Sequence, residues 1–377
     1  MSNDQRVPAE TGLAAAPQYT LREILQQPLL WPTTVENVSS ASERLSLPAR
    51  LNHSRILLTG AGTSAHAASA IAAAWRRAHA VPSTDLLADT ERYLLEVDVL
   101  ISLARSGDSP ESAAVVERVR ALRPDILQLA IVCNEDGALS HSGLDGLIVL
   151  DPRTNDHSLV MTSSFSNLVL AGLVLAQPDE VAASVKSLSQ SAEALLPAIG
   201  RACQRAATHA RDRIVVLSSS PSLGWAREAG LKMLEMCAGH FPVITETFLS
   251  LRHGPMSFVK HDTLVLGLLS SDPMRRLYEA DLLRELRAKK IGYLVGIVNS
   301  ADSEGLFDEV IPASAPQTND ALRTPYEIVG PQLLGYHLSL GIGLNPDNPS
   351  PDGVINRVVQ GVRIHRAQQF ESVPSGR

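Results

Sequence analysis

The chain has 377 residues, 45% hydrophobic and 19% charged, which is the balance of a soluble globular protein with room for two domains. Its 33 basic and 40 acidic side chains leave a formal charge of −7 and only 4% of residues are aromatic, so a nucleic-acid partner is not expected. Three scattered cysteines, the lack of a basic-then-apolar leader and the lack of a run of roughly 18 apolar residues argue against a disulfide framework, a zinc site, secretion and a membrane span, and a reducing cytoplasm is the expected home.

Residues 1–50 are expected to be a flexible N-terminus, disordered over residues 1–18, followed by short helices, TLREILQQPLL and TTVENVSSASERL, interrupted at Pro28 and Pro32. From Arg55 short apolar runs alternate with helical periods: RILLTG, SAHAASAIAAAWRRAH, VDVLISLA, SPESAAVVERVRAL, DILQLAIVCN, GLIVLD and TSSFSNLVLAGLVLA. Runs that end in Gly, Ser or Asn before a helix indicate parallel βαβ units. The pattern then restarts. RIVVLSSS echoes RILLTGAG, DTLVLGLLSSDP echoes DVLISLARSGDSP, GYLVGIVNSAD echoes QLAIVCNEDG, and the helix after Thr324 echoes the one after Thr162, all at offsets of roughly 158–166 residues. The expectation is a duplicated α/β unit, with domains at 51–200 and 201–344, a helical connection near 176–212, and a Pro/Asn-rich tail at 345–377.

The first strand-to-helix turn, Gly60–His66, reads GAGTSAH. Thr63, Ser64 and Ala65 stand where a GxGxxG motif needs its last glycine, which disfavours a dinucleotide site. Thr63 and Ser64 either cap the helix or offer hydroxyls to a phosphate or a sugar. The second turn, Ser102–Ser112, reads SLARSGDSPES, with Ser109 at an N-cap, Pro110 at the first helical position and Glu111 in the first turn. Unpaired N–H groups and the helix dipole favour an anion there, Ser102, Ser106 and Ser109 add hydroxyls, and Gly107 admits a close approach. Two such turns at neighbouring strand ends share the edge where open α/β sheets bind ligands. The second-half counterpart, LLSSDP, has no glycine and is expected to hold no ligand.

In the helix over 223–238, Glu228, Lys232 and Glu235 share a face. They form a solvated stripe with an i,i+4 pair, or else Glu235 faces a desolvated cleft and moves protons. In LRHGPMSFV, Gly254 and Pro255 fix the backbone beside Arg252 and His253, and a fixed imidazole suits proton transfer near neutrality. His66, His157 and His261 stand alone and read as structural or surface groups, and no spacing suggests a metal.

Together GAGTSAHAA, LARSGDSPES, MTSSFSN, LKMLEM, LRHGP and the tail NPDNPSPDGVINRVVQGV resemble the tandem sugar-isomerase (SIS) family over about residues 55–365. The likeness is to its tagatose-6-phosphate ketose/aldose isomerase or galactosamine-6-phosphate deaminase/isomerase type. It implies two tandem SIS domains, each a parallel sheet flanked by helices in a flavodoxin-like three-layer sandwich, with no cofactor or metal. It implies that Thr63, Ser64, Ser106 and Ser109 line a phosphosugar pocket that Thr162 and Ser163 help to close. Glu235 then matches the base between C1 and C2, and His253 matches the ring-opening histidine, often supplied by a neighbouring subunit in a homodimer or larger assembly. Where the related glucosamine-6-phosphate synthase reads SQSGET this chain reads ARSGDS, so Ala104 replaces a serine, and Arg105 replaces a glutamine as a candidate contact. That synthase also uses a tail lysine, whereas the last lysine here is Lys290, so Arg357, Arg363 or His365 is the candidate tail group.

Without a glutaminase segment or an N-terminal cysteine, ammonia release is the expected direction. The implied activity is a deaminating isomerase converting galactosamine 6-phosphate to tagatose 6-phosphate. The alternatives are aldose–ketose isomerisation without deamination and a non-catalytic phosphosugar sensor. A sensor is expected to carry a DNA-binding segment, and residues 1–50 are neither basic nor clearly helix-turn-helix.

Overall fold

A computed structural model describes residues 19–299 and 305–365. The residues expected to be disordered, 1–18, lie outside the described residues. Helices α1 (Thr20–Leu25), α2 (Gln27–Arg44) and α3 (Leu47–Leu51) come first. Pro32 does not break α2. Pro28 sits in the first turn, where a missing N–H costs nothing, and α2 continues past Pro32 because Leu30, Trp31, Val35 and Val38 are all buried on one side.

The first half follows as β1 (Ile56–Gly60), α4 (Thr63–Ala74), β2 (Ala78–Pro82), α5 (Ser83–Ala88), α6 (Thr90–Tyr93), β3 (Val99–Ala104), α7 (Pro110–Leu122), β4 (Leu127–Val132), β5 (Gly146–Val149) and α8 (Ser163–Ala176). The long helix α9 (Pro178–Ala207) leads to the second half. That half contains β6 (Ile214–Ser218), α10 (Leu223–Met236), β7 (Val243–Thr247), β8 (Leu264–Leu268), α11 (Pro273–Lys289), β9 (Tyr293–Val298), β10 (Glu309–Pro312), α12 (Thr324–Glu327) and α13 (Val329–Gly341). Each half is a five-stranded parallel sheet, ordered β2-β1-β3-β4-β5 and β7-β6-β8-β9-β10. With β6 matched to β1 the two orders are identical, a flavodoxin-like 2-1-3-4-5 arrangement repeated in one chain.

Burial explains why the strands β1, β3, β6 and β8 read as continuous apolar runs: every residue in them is buried, because helices cover both sheet faces. The outer face of the first sheet is covered by α5–α7 through Leu57, Leu86, Leu100, Val115 and Val119. The outer face of the second is covered by α11 through Val215, Val265, Leu282 and Leu286. Between the sheets, α2, α4, α8, α9, α10 and α13 share one core that joins the two halves. Fully burying one of its Leu, Ile or Val side chains contributes about 1.5–3 kcal/mol. Among the described residues no helix is long and apolar enough to cross a membrane.

Helices α4 and α10 run antiparallel across the seam. At Gly224 an added Cβ would lie 2.7 Å from the Ala70 backbone nitrogen, so the glycine is what lets the helices touch. One turn further along each, His66 meets Glu228, and beyond that Thr63 meets Lys232. The i,i+4 spacing of Gly224, Glu228 and Lys232 places all three on the seam.

Candidate active site

Strands β1 and β3 are hydrogen-bonded neighbours, Ile56 opposite Val99, so the turns that leave them open on one edge. The first turn passes through Gly62, whose φ of +54° and ψ of −124° suit glycine alone, before α4 starts at Thr63. The second passes through Gly107 at φ +76° before α7 starts at Pro110. Both helix N-termini, the positive ends of their helix dipoles, border a cleft of about 360 Å³. Ser64, Ser106 and Ser109 line it, together with Thr63, Arg105, Glu235 and tail residues 354–360.

The serines are held in different ways. Ser109 donates to Glu111 at 2.6 Å, and Ser106 Oγ accepts from the Asp108 amide at 3.2 Å. Ser102, grouped with them by sequence, lies within β3, where its buried hydroxyl has no hydrogen-bond partner, and it does not line this cleft. The Arg105 guanidinium is buried at 6% exposure and donates to three backbone carbonyls: Ser158 at 3.3 Å, Leu159 at 3.1 Å and Arg357 at 2.6 Å. Burial pulls its pKa below the usual arginine value, and none of its bonded partners is a carboxylate. Such a cation is stabilised by an anion entering the cleft. Arg357 in turn donates to the Asp156 carbonyl at 2.6 Å and to Asn155 at 2.7 Å, which fastens the tail over the cleft.

The charged stripe on α10 is not solvated. Glu228 and Lys232 are fully buried, because the seam with α4 covers the face that an isolated helix would leave wet. The Lys232 ammonium lies 2.6 Å from Glu235 Oε2, 3.2 Å from Glu228 Oε1 and 3.1 Å from Thr63 Oγ1. Thr63 also donates to Glu228 Oε1 at 3.2 Å. The Thr63 hydroxyl is therefore committed to this network, although the residue borders the cleft. Burial lowers the Lys232 pKa, but the charges and hydrogen bonds of both glutamates outweigh it and leave the pKa raised. Glu235 is the member that reaches the cleft, its side chain 25% exposed.

Two expected groups are elsewhere. Thr162 and Ser163 are buried and do not line the cleft. The Asp156 carboxylate takes the amides of Thr162, Ser163 and Ser164 and the hydroxyls of Thr162 and Ser164, and Ser163 Oγ donates to the Glu23 carbonyl at 2.6 Å. A protein carboxylate thus occupies that helix terminus, which from sequence looks like the other serine turns. His253 is exposed in the loop after β7 and does not border the cleft of its own chain. Its neighbour Arg252 pairs with Glu285 of α11 at 2.7 Å.

In the second half, the turn after β8 is filled from within. Asp320 accepts from the Ser271 amide at 2.7 Å, from Ser270 Oγ, and from Arg275 and Arg323 at 3.0 and 3.2 Å.

Sequence reasoning missed the buried partners Glu228, Lys232 and His66 as one cluster. The i,i+4 spacing on α10 was visible, but the face of α4 that meets it was not.

No family model matches the chain. A Streptomyces coelicolor protein with the provisional name D-galactosamine-6-phosphate deaminase AgaS is 36% identical over 368 residues, 92% of this chain and 95% of its own. The D-galactosamine-6-phosphate deaminase AgaS of Shewanella sp. is 35% identical, over 92% of each chain. Among solved structures, the tagatose-6-phosphate ketose/aldose isomerase of Escherichia coli superposes with a TM-score of 0.83 at 31% identity, covering 97% of this chain and all of its own. With two matching five-stranded halves and near full-length likeness, the chain belongs to the AgaS family of tandem sugar-isomerase proteins.

Proposed function

We propose that this protein is a deaminating isomerase that converts galactosamine 6-phosphate to tagatose 6-phosphate and ammonia. The observation that carries the reading is the convergence on one cleft of two helix N-termini from the first half and the Glu235 carboxylate from the second. The names of the full-length relatives support the substrate class. Three buried free thiols suit a reducing cytoplasm.

In this reading the phosphate rests against the Ser64 and Ser106–Ser109 turns, near the Arg105 guanidinium. Lys232, 2.6 Å from Glu235 Oε2, occupies that oxygen and leaves Oε1 for the substrate. Glu235 takes the C2 proton of the open-chain sugar, giving an enolamine, and returns it to C1. The resulting C2 imine adds water and releases ammonia, leaving the ketose. Ring opening falls to His253, and because that imidazole is exposed and outside its own cleft, a neighbouring subunit of a homodimer or larger assembly supplies it.

The test is ammonia release from galactosamine 6-phosphate, glucosamine 6-phosphate and, as a nitrogen-free control, tagatose 6-phosphate isomerisation. Interconversion of tagatose 6-phosphate with its aldose and no ammonia from either amino sugar would replace deamination by simple isomerisation. Binding with no turnover of any substrate would leave a sensor.

A further inference from the structure

We infer that His66 is a positioning residue, which reaches across the seam between the halves to fix Glu228 and, through Lys232, the proton-transferring carboxylate of Glu235. The inference rests on the reading of Glu235 as the acid/base group. Four observations support it. His66 Nδ1 lies 3.0 Å from Glu228 Oε2, while Oε1 of the same carboxylate faces both Lys232 and Thr63. Glu228 is fully buried, so Oε2 has no access to water. Lys232 spends its three N–H bonds on Glu228, Thr63 and Glu235, so it is shared between two carboxylates. The His66 side chain is 24% exposed, which leaves the imidazole open to solvent protons while its Nδ1 faces the network.

Removing the imidazole leaves a buried carboxylate oxygen without a donor. Glu228 then draws more heavily on Lys232, and the ammonium's grip on Glu235 slackens.

The elements packed most closely on α4 contribute few other groups that could take the place of this imidazole. Strands β1 and β3 and helix α8 carry no ionisable side chain. Strand β2 carries the exposed His79, α10 carries Glu228, Lys232 and Glu235 with Arg227 exposed, and the turn Asp320–Leu322 carries Asp320, which is committed to Ser270, Ser271, Arg275 and Arg323.

Ammonia release by the native chain, H66A and H66N, measured from about pH 5.5 to about pH 9 with the melting temperature of each, tests the inference. Asparagine offers an N–H close to the place of Nδ1 but cannot become charged. The expected result is a loss in kcat of roughly 10–100-fold in H66A, with KM within about twofold, because a hydrogen bond to a buried charge is lost while the phosphate turns are intact. H66N recovers most of kcat, because its amide N–H again donates to Glu228 Oε2. H66A with native kcat and pH profile would overturn the inference, as would an H66N variant no better than H66A. A native chain that releases no ammonia would instead remove the proposed function. In that event the imidazole resonances of His66 are read in native and E228Q protein, and resonances that do not move between the two overturn the pairing itself.

Discussion

Asp320 Oδ1 accepts from the backbone amide of Ser271 at 2.7 Å, in the turn of the second half that corresponds to the Ser106–Ser109 turn of the first. One half keeps an open anion cradle and the other fills its equivalent with its own carboxylate. Burial alone would raise the Asp320 pKa, but hydrogen bonds from Ser270 and Ser271 and the charge of Arg323 hold it below the usual 3.8. The stability Asp320 contributes is therefore whole above pH 3.8 and is lost as the pH falls through its lower folded value. Asp320→Ala removes the acceptor of the Ser271 amide and the carboxylate that pairs with Arg275 and Arg323, leaving Arg323 to Leu269 and Glu327, and is expected to cost about 3 kcal/mol, lowering Tm by roughly 5–10 °C. Millimolar inorganic phosphate should raise the Tm of this variant more than that of the native chain, by entering the vacated cradle. Differential scanning calorimetry with and without phosphate reads both effects.

Glu235→Gln keeps the size and removes the proposed base. Turnover is expected to fall by a factor of roughly 10²–10⁴, the usual contribution of a positioned acid/base group. Binding of the sugar phosphate, followed by calorimetry, should persist, because the two turns are untouched. Near-native ammonia release would sink the assignment.

Arg357→Ala removes the donors that bind the tail to the Asp156 carbonyl and to Asn155. With the tail loosened, KM for the sugar phosphate should rise roughly tenfold, the equivalent of one or two neutral hydrogen bonds, and kcat should change less. Limited proteolysis is expected to cut the tail of the variant sooner than that of the native chain.

Gly224→Val places a branched side chain where a single Cβ already lies 2.7 Å from Ala70. The helices α4 and α10 must part, at a cost of about 1–3 kcal/mol. Activity should fall further than stability suggests, because the displacement acts on Lys232, Thr63 and His66 together. A urea titration paired with kinetics separates the two losses.

Burial pushes the thiols of Cys133 and Cys237 up to about 12 and raises that of Cys203 as well. All three therefore remain protonated near neutral pH and should resist a disulfide reagent at pH 8, then react together after denaturation. Any rapid reaction in the native state would show that a thiol opens to solvent.

The central strands were legible in the sequence because helices cover both of their faces, which demands unbroken apolar runs. The edge strands β2, β7 and β10 were not. AHAVP and VITET are half-exposed, and each pairs on one side only, so neither carries the run or the strict alternation that marks a strand. The serine turns were readable from hydroxyls next to a helix start, and the same signature misled at Thr162 and Ser163. What distinguishes the two cases is Asp156, six residues upstream, and nothing in the local pattern shows that its carboxylate turns back to occupy the helix terminus. The α10 stripe had the opposite fate. Spacing put Glu228, Lys232 and Glu235 on one face, but only the packing of the two halves shows that the face is dry.

The seam between α4 and α10 also makes the duplicated halves mutually obligate. Glu228 and Lys232 come from one copy, while Thr63 and His66 come from the other, so the hydrogen bonds of the buried Glu228 and Lys232 are complete only when both copies are present. Neither half is a self-sufficient phosphosugar module, and fragments cut in the turn after α9 should regain activity only by complementing each other. A hybrid joining halves of two divergent relatives would have to match across this seam or leave buried polar atoms of Glu228 and Lys232 without hydrogen-bond partners. Duplication has here produced two non-interchangeable parts, and recombination between copies is penalised at the hydrogen bonds that cross the seam.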